Sequence, residues 1–279
     1  MSHELPTLLL INNGSSQAEA TLSLRRLARR LSHISGQNIS PVSLQHAHKI
    51  PAEKLDGRAA RTLALFLRKM LTKGIRDFLA IPLFFGHSKA LTSLIPDLVD
   101  SLKSEFGPFS FRLTDELYPL STGEPRLAQI LYDQIDPILQ QTAQQNVILV
   151  DHGSPLAAVT EIRIRVAEDL RMLLPPEIDL QEAVMERRSG TQFDFNGELL
   201  KQVLKHAALT SINNPIVLSL LFLLPGRHAG SDGDIASICL NIEQRHPGLS
   251  IHTSQLVSDH PVLVDILYDR LKTRLKGID

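Results

Sequence analysis

VILVDHGSP (Val147–Pro155) is an apolar strand that runs into a Gly-Ser turn, and the chain contains it twice. LLLINNGSS (Leu8–Ser16) has the same build at an offset of 139 residues (147 − 8 = 139). Two further pairs keep step: IPLFF (Ile81–Phe85) with SLLFL (Ser219–Leu223), and ILYDQI (Ile130–Ile135) with ILYDRL (Ile266–Leu271). Their offsets are 138 (219 − 81) and 136 (266 − 130). A repeat of half the chain length predicts two similar domains. The polar stretch QQTAQQN (Gln140–Asn146) marks the boundary, giving halves 1–143 and 144–279.

On either side of the signature turn, short apolar runs alternate with longer amphipathic ones. Strands are expected at Thr7–Asn12, Ile39–Gln45, Asp77–Phe84, Phe109–Glu116, Asn146–Asp151, Ile178–Glu186, Pro215–Leu223 and Leu249–Leu256. Helical periodicity covers Gln17–His33, Ala52–Thr72, Lys89–Glu105, Glu124–Gln144, Leu156–Leu174, Phe195–His206, Asp234–Arg245 and Pro261–Leu275. Strand–helix alternation makes right-handed βαβ units and parallel sheets covered on both faces. Runs such as VILV and PIVLSLLFLL are apolar throughout, as strands covered on both sides require. Eight such units are also the count of a closed TIM barrel. The four-unit period, with signature turns after the first and third strand of each half, favours two open four-stranded sheets. The fold class is α/β, as two pseudo-symmetric domains.

Composition excludes several function classes. A net charge of −1 offers nothing to nucleic acid or an anionic membrane. The basic run Leu24–Arg30 has leucines at helical spacing and reads as a solvated helix face. The single cysteine, Cys239, forbids an internal disulfide and sits in an apolar helical stretch, which points to a reducing compartment. The N-terminus lacks a basic region and a sufficient apolar run for a signal peptide, and no apolar run reaches transmembrane length. The expectation is a soluble cytoplasmic protein.

The two copies differ in chemistry. Sites in open α/β sheets form outside the carboxyl ends of the strands. There the second half has His152 after its first strand, Glu186 at the end of the second and His228 after the third. The first half has Asn13, Gln45 and Ala90 at the matching places, with His87 three residues out of register. Two neutral imidazoles and a carboxylate suit a divalent transition metal, and the same groups accept protons near neutral pH. Gly153 and Ser154 leave room for a flat ligand and offer amide donors, and Gly226 does the same beside His228. Asp151 is a candidate to orient the His152 imidazole or to cap the helix that follows. His46 and His48 are spaced to clip a metal, although a place at the mouth of a strand is the plainer reading.

HGS after a first strand, a glutamate ending the second and FLLPGRHAG…GDI after the third resemble the sirohydrochlorin chelatases, in their long tandem-duplicated form. These are ATP-independent chelatases related to anaerobic cobaltochelatase and to ferrochelatase. The resemblance covers nearly the whole chain. It implies insertion of Co2+, Fe2+ or Ni2+ into sirohydrochlorin or a related tetrapyrrole, in a cleft between two pseudo-symmetric domains. His152, Glu186 and His228 would hold the metal and take pyrrole protons. Arg187, Arg188 and Arg227, beside them, would meet the carboxylates of the macrocycle. The resemblance implies no organic cofactor, with the metal as substrate, and the internal duplication fits a monomer built as a pseudo-dimer. The chain departs from the family at Asn13 and at the missing third-strand histidine of the first half, so the competent site is expected in the second half alone. A non-catalytic carrier and a dechelatase on the same fold are the alternatives. Histidine-phosphatase chemistry would need an Arg-His-Gly motif, which DHGS lacks.

Overall fold

The computed structural model describes residues 5–141, 146–210 and 215–277. The first sheet holds β1 (Thr7–Asn12), β2 (Ile39–Ser43), β3 (Asp77–Pro82) and β4 (Ser110–Leu113) in the order β2-β1-β3-β4. The second holds β5 (Asn146–Asp151), β6 (Asp179–Val184), β7 (Ile216–Leu220) and β8 (Ile251–Thr253) in the order β6-β5-β7-β8. Every strand pair is parallel. Two four-stranded sheets flanked by helices are thus the fold, as expected, and not a closed barrel.

The helices are α1 (Ala18–Ser35), α2 (Leu63–Thr72), α3 (Ile95–Phe106), α4 (Arg126–Leu139), α5 (Ala157–Leu173), α6 (Leu200–Thr210), α7 (Asp234–Arg245) and α8 (Val262–Lys276). Two expected helices are shorter than their periodicity. Ala52–Thr72 breaks because Asp56 and Gly57 both take positive φ after a single turn at Ala52–Leu55. Phe195–His206 breaks because Gly197, at φ 78°, ends a short 3-10 helix at Thr191–Asn196. The last expected residues of the helix reaching Gln144 lie outside the described residues, as does the 143/144 boundary.

Each sheet packs one face on a matching core. In the first, Leu9 and Ile11 of β1 meet Phe66 and Leu67 of α2 and Ile95 and Leu102 of α3. In the second, Ile148 and Val150 of β5 meet Leu200 and Leu204 of α6 and Ile235 and Cys239 of α7. Burial there pushes the Cys239 thiol up to about 12, so it remains protonated and is no nucleophile at neutral pH.

The compact units differ from the sequence halves. One comprises Met1–Thr122 with Val264–Asp279, and the other Gly123–Leu263. Helix α4 therefore belongs to the unit of the second sheet, where its apolar stripe (Leu127, Ile130, Leu131, Ile135) is buried and Gln134 Nε2 donates to the Leu256 carbonyl at 2.8 Å. Helix α8 belongs to the unit of the first sheet, where Arg270 donates to the carbonyls of Glu116 and Leu117 at 3.0 and 3.1 Å. ILYDQI and ILYDRL are the matching faces of these two helices, so the repeat describes sequence ancestry and not the compact unit. Among the described residues no helix is long and apolar enough to cross a membrane.

Candidate metal site of the second half

The chain reverses its direction across the sheet between β5 and β7, and this is where an open α/β sheet leaves a crevice at its carboxyl edge. His152 follows β5, Glu186 lies two residues past β6 and His228 lies in the long loop after β7. One ligand atom of each falls within 4.8 Å of the others, and this is the single such group among the described residues. The two imidazoles meet edge to face with centroids 4.8 Å apart. His152 and Glu186 are exposed and His228 is 6% exposed, so the group has one rigid wall and two accessible arms.

The turn after β5 is held from below. Gly153 sits at φ +85°, where a Cβ would come 2.0 Å from the Glu186 carbonyl oxygen. That close approach lets the Glu186 N–H donate to the His152 carbonyl at 2.9 Å. The first half repeats both details: a Cβ on Gly14 would stand 2.0 Å from the Gln45 oxygen, and the Gln45 N–H donates to Asn13 at 3.0 Å. The pairing of His152 with Asn13 and Glu186 with Gln45 is therefore geometric as well as sequential. Gly153→Ala and Gly14→Ala are each expected to lose about 2 kcal/mol or more, from positive φ and a backbone clash together. Gly226 has nothing within 4 Å of its would-be Cβ, so Gly226→Ala should stay within about 0.5 kcal/mol. Chemical denaturation of the three variants checks the contrast.

Beneath the turn lies a buried polar network that the sequence reading did not identify. Arg163 of α5 is 3% exposed and donates to Asp151 Oδ1 at 3.1 Å, to Glu182 Oε2 at 3.2 Å and to the Asn196 carbonyl at 2.9 Å. Asn196, 1% exposed, accepts from the Ser154 N–H at 2.9 Å and donates to the Ser154 carbonyl at 2.9 Å. Asp151 accepts from the Gly153 N–H at 3.1 Å. Burial pushes the Asp151 carboxyl up, against the pull of Arg163 and that N–H. Of the two roles expected for Asp151, orienting His152 is not what these contacts provide: the carboxylate is taken by Gly153 and Arg163, and His152 Nδ1 faces the Gly153 carbonyl at 3.2 Å. A carbonyl only accepts, so Nδ1 is the donor in that contact.

His228 is held from its other side. Its Nδ1 lies 2.8 Å from Asp234 Oδ2 and its Nε2 lies 3.3 Å from Glu186 Oε1. Burial and the neighbouring His152 hold its pKa below the ordinary 6.5, against the pull of Asp234 and Glu186. Asp234 occupies Nδ1, and with the proton on that nitrogen Nε2 and the Glu186 carboxylate are two acceptors face to face, which a cation between them would satisfy. The residues fit a metal for that reason.

The other expected residues fall as follows. Arg227 bridges the site's acids, with Nη1 3.4 Å from Glu186 Oε1 and Nε 3.2 Å from Asp234 Oδ2. Arg187 turns to its own loop, donating to the Gly197 carbonyl at 3.0 Å and pairing with Asp194. Arg188 lies over the Phe193 ring, 5.8 Å from its centroid. In the first half, Ala90 is buried in the core and His87 pairs with Glu116 at 3.2 Å. His46 and His48 line an open cavity of about 560 Å³ with Leu44, Gln45 and Leu65, just past the end of β2.

An open parallel sheet with His152, Glu186 and His228 gathered past its carboxyl edge is the architecture that the resemblance to the ATP-independent tetrapyrrole chelatases implied. Residues 146–274 match the model of the CbiX family. The fold of the chain is similar to that of SirB from Bacillus subtilis, solved with Fe3+, at 15% identity and a TM-score of 0.69, covering 95% of this chain and 94% of that one. SirB from Bacillus subtilis subspecies spizizenii, in complex with cobalt, aligns at 13% identity and TM-score 0.65, with 95% and 93% coverage. CbiX, described as the terminal enzyme of siroheme biosynthesis in denitrifying bacteria, aligns at 14% identity and TM-score 0.58, with 96% and 98% coverage. No curated protein matches in sequence. The resemblance to the sirohydrochlorin chelatases read from the sequence therefore stands.

Proposed function

We propose that the protein inserts a divalent metal ion, Co2+, Fe2+ or Ni2+, into sirohydrochlorin or a closely related tetrapyrrole, without ATP, at His152, Glu186 and His228. The observation that carries this reading is the convergence of three ligand atoms within 4.8 Å. The CbiX match over residues 146–274 and the fold shared with SirB support it.

The chemistry asks for a transient metal site and a proton acceptor. Nitrogen and carboxylate donors bind these ions, and affinity alone does not select among them. Insertion displaces two pyrrole N–H protons. Two neutral imidazoles and a carboxylate accept protons near neutral pH, and the lowered pKa of His228 keeps its lone pair free for the metal first. Exposed Glu186 and His152 are the groups free to follow the ion as it leaves, and buried His228 is the fixed point. Arg227, 76% exposed along its side chain, is placed to exchange its contact with Glu186 for a carboxylate of the macrocycle. On this reading the protein acts in the cytoplasm as a monomeric pseudo-dimer, and the first half contributes no ligands to the metal.

The test is anaerobic absorbance of sirohydrochlorin with each metal, with and without the protein. Protein-dependent conversion to the metallated spectrum establishes the chelatase and identifies the metal. Tight binding of the macrocycle with no faster conversion would replace this reading by a carrier.

A further inference from the structure

Asp234 had no part in the reading of the trio, yet it makes the shortest polar contact that His228 has, 2.8 Å from Oδ2 to Nδ1. Both partners are pinned. Asp234 opens α7, and the first amides of that helix return to the histidine's loop: Asp234 N–H donates to the Arg227 carbonyl at 3.0 Å and Ile235 N–H to the His228 carbonyl at 3.1 Å. Gly233 permits this approach, since a Cβ there would lie 2.4 Å from the His228 oxygen. Arg227 Nε holds the same carboxylate oxygen at 3.2 Å, which fixes the acid from its solvent side. The imidazole itself is buried and cannot exchange this partner for water. Carboxylates face both ring nitrogens, Asp234 at 2.8 Å from Nδ1 and the exposed Glu186 at 3.3 Å from Nε2, so the shorter and pinned contact takes the proton on Nδ1 and leaves the lone pair on Nε2, toward Glu186.

We propose that Asp234 is a positioning residue of the site: it locks His228 in the Nδ1-protonated tautomer and aims Nε2 as a ligand for the incoming metal. The proposal rests on reading the trio as a metal site. It explains the asymmetry between the two histidines. The exposed His152 has only a neutral carbonyl at its Nδ1, whereas the buried His228 has a charged acceptor that also raises its donor strength. The first half has Ala90 at the place of His228, with no imidazole there to orient.

The test has two parts. Nitrogen-15 NMR of histidine-labelled wild-type protein, free of metal, should give a protonated Nδ1 and an unprotonated Nε2 for His228, assigned with His228→Ala. The reverse tautomer overturns the proposal. Titration with Co2+ alone should then show affinity falling about 10–100-fold in Asp234→Ala, with Asp234→Asn, whose amide oxygen still accepts, retaining most of it. A role limited to the helix terminus would lower the melting temperature of both variants and leave the His228 tautomer and Co2+ affinity unchanged, and that result also overturns the proposal. Wild-type protein that takes up no Co2+ would defeat the metal-site reading itself, while the nitrogen shifts would still decide what Asp234 does to His228.

Discussion

His228→Ala is expected to lower metal insertion by about 10²–10⁴-fold, with the fold retained, and His152→Ala to follow it closely. Each removes a donor nitrogen and a proton acceptor from the same small volume, where the ligand atoms stand within 4.8 Å. His228→Ala also leaves Asp234 and Glu186 without the ring that separates them. Asn13→Ala, at the position matching His152 in the first half, should change the rate less than about threefold, because no ligand group accompanies it. The measurement is the initial rate of spectral conversion under anaerobic conditions, beside circular dichroism of each variant. Near-full rates in both histidine variants would refute the site assignment, and a collapse in Asn13→Ala would place the working site in the first half.

Arg163→Leu is expected to be among the most destabilising single substitutions in the unit of the second sheet, at about 3–5 kcal/mol. The guanidinium is 4% exposed and serves Asp151, Glu182 and the Asn196 carbonyl at once. Glu182 would keep a cation in Arg171, 2.9 Å away, but Asp151 would be left buried with only the Gly153 N–H. The repeat itself supplies the compensating change. Counting back 139 residues, the places of Asp151 and Arg163 are taken by Asn12 and Leu24, both buried. Asp151→Asn with Arg163→Leu should therefore recover about 2 kcal/mol of the loss. Recovery should be partial: Asn12 Oδ1 has no hydrogen-bond partner among the described residues, and Asp151→Asn would set an amide in the equivalent surroundings. Additive losses in the double variant would show that the two charges do not depend on one another.

The fold was legible because the repeat and the apolar strands act at the same positions. VILV and LLLI are continuous apolar runs, and both form central strands with neighbours on either side. Strand ends were read too long where the backbone leaves the sheet without changing its hydrophobicity: Leu221 and Phe222 continue the apolar run of β7 but turn away to build the His228 loop. The trio was legible because residue type and strand end coincide, and the two halves disagree at those three places. The support beneath it was harder to read. Arg163 does leave a trace, as a charge on the buried stripe Thr160, Arg163, Val166, Ala167 and Leu170 of α5. Asn196 leaves none, because its partners Ser154 and Arg163 lie 42 and 33 residues away, and a short helix ending at Gly197 brings them together. Asp234 stood in the motif that carried the resemblance, but which of its neighbours receives its carboxylate depends on how α7 folds back on the loop.

Whether the trio holds a metal is decided by diffraction from crystals soaked in Co2+, recorded at the cobalt edge. One strong anomalous peak bonded to His152, Glu186 and His228 is expected, and its loss in His228→Ala. Cobalt bound instead at His87 and Glu116, or at His46 and His48, with none at the trio, would contradict the assignment.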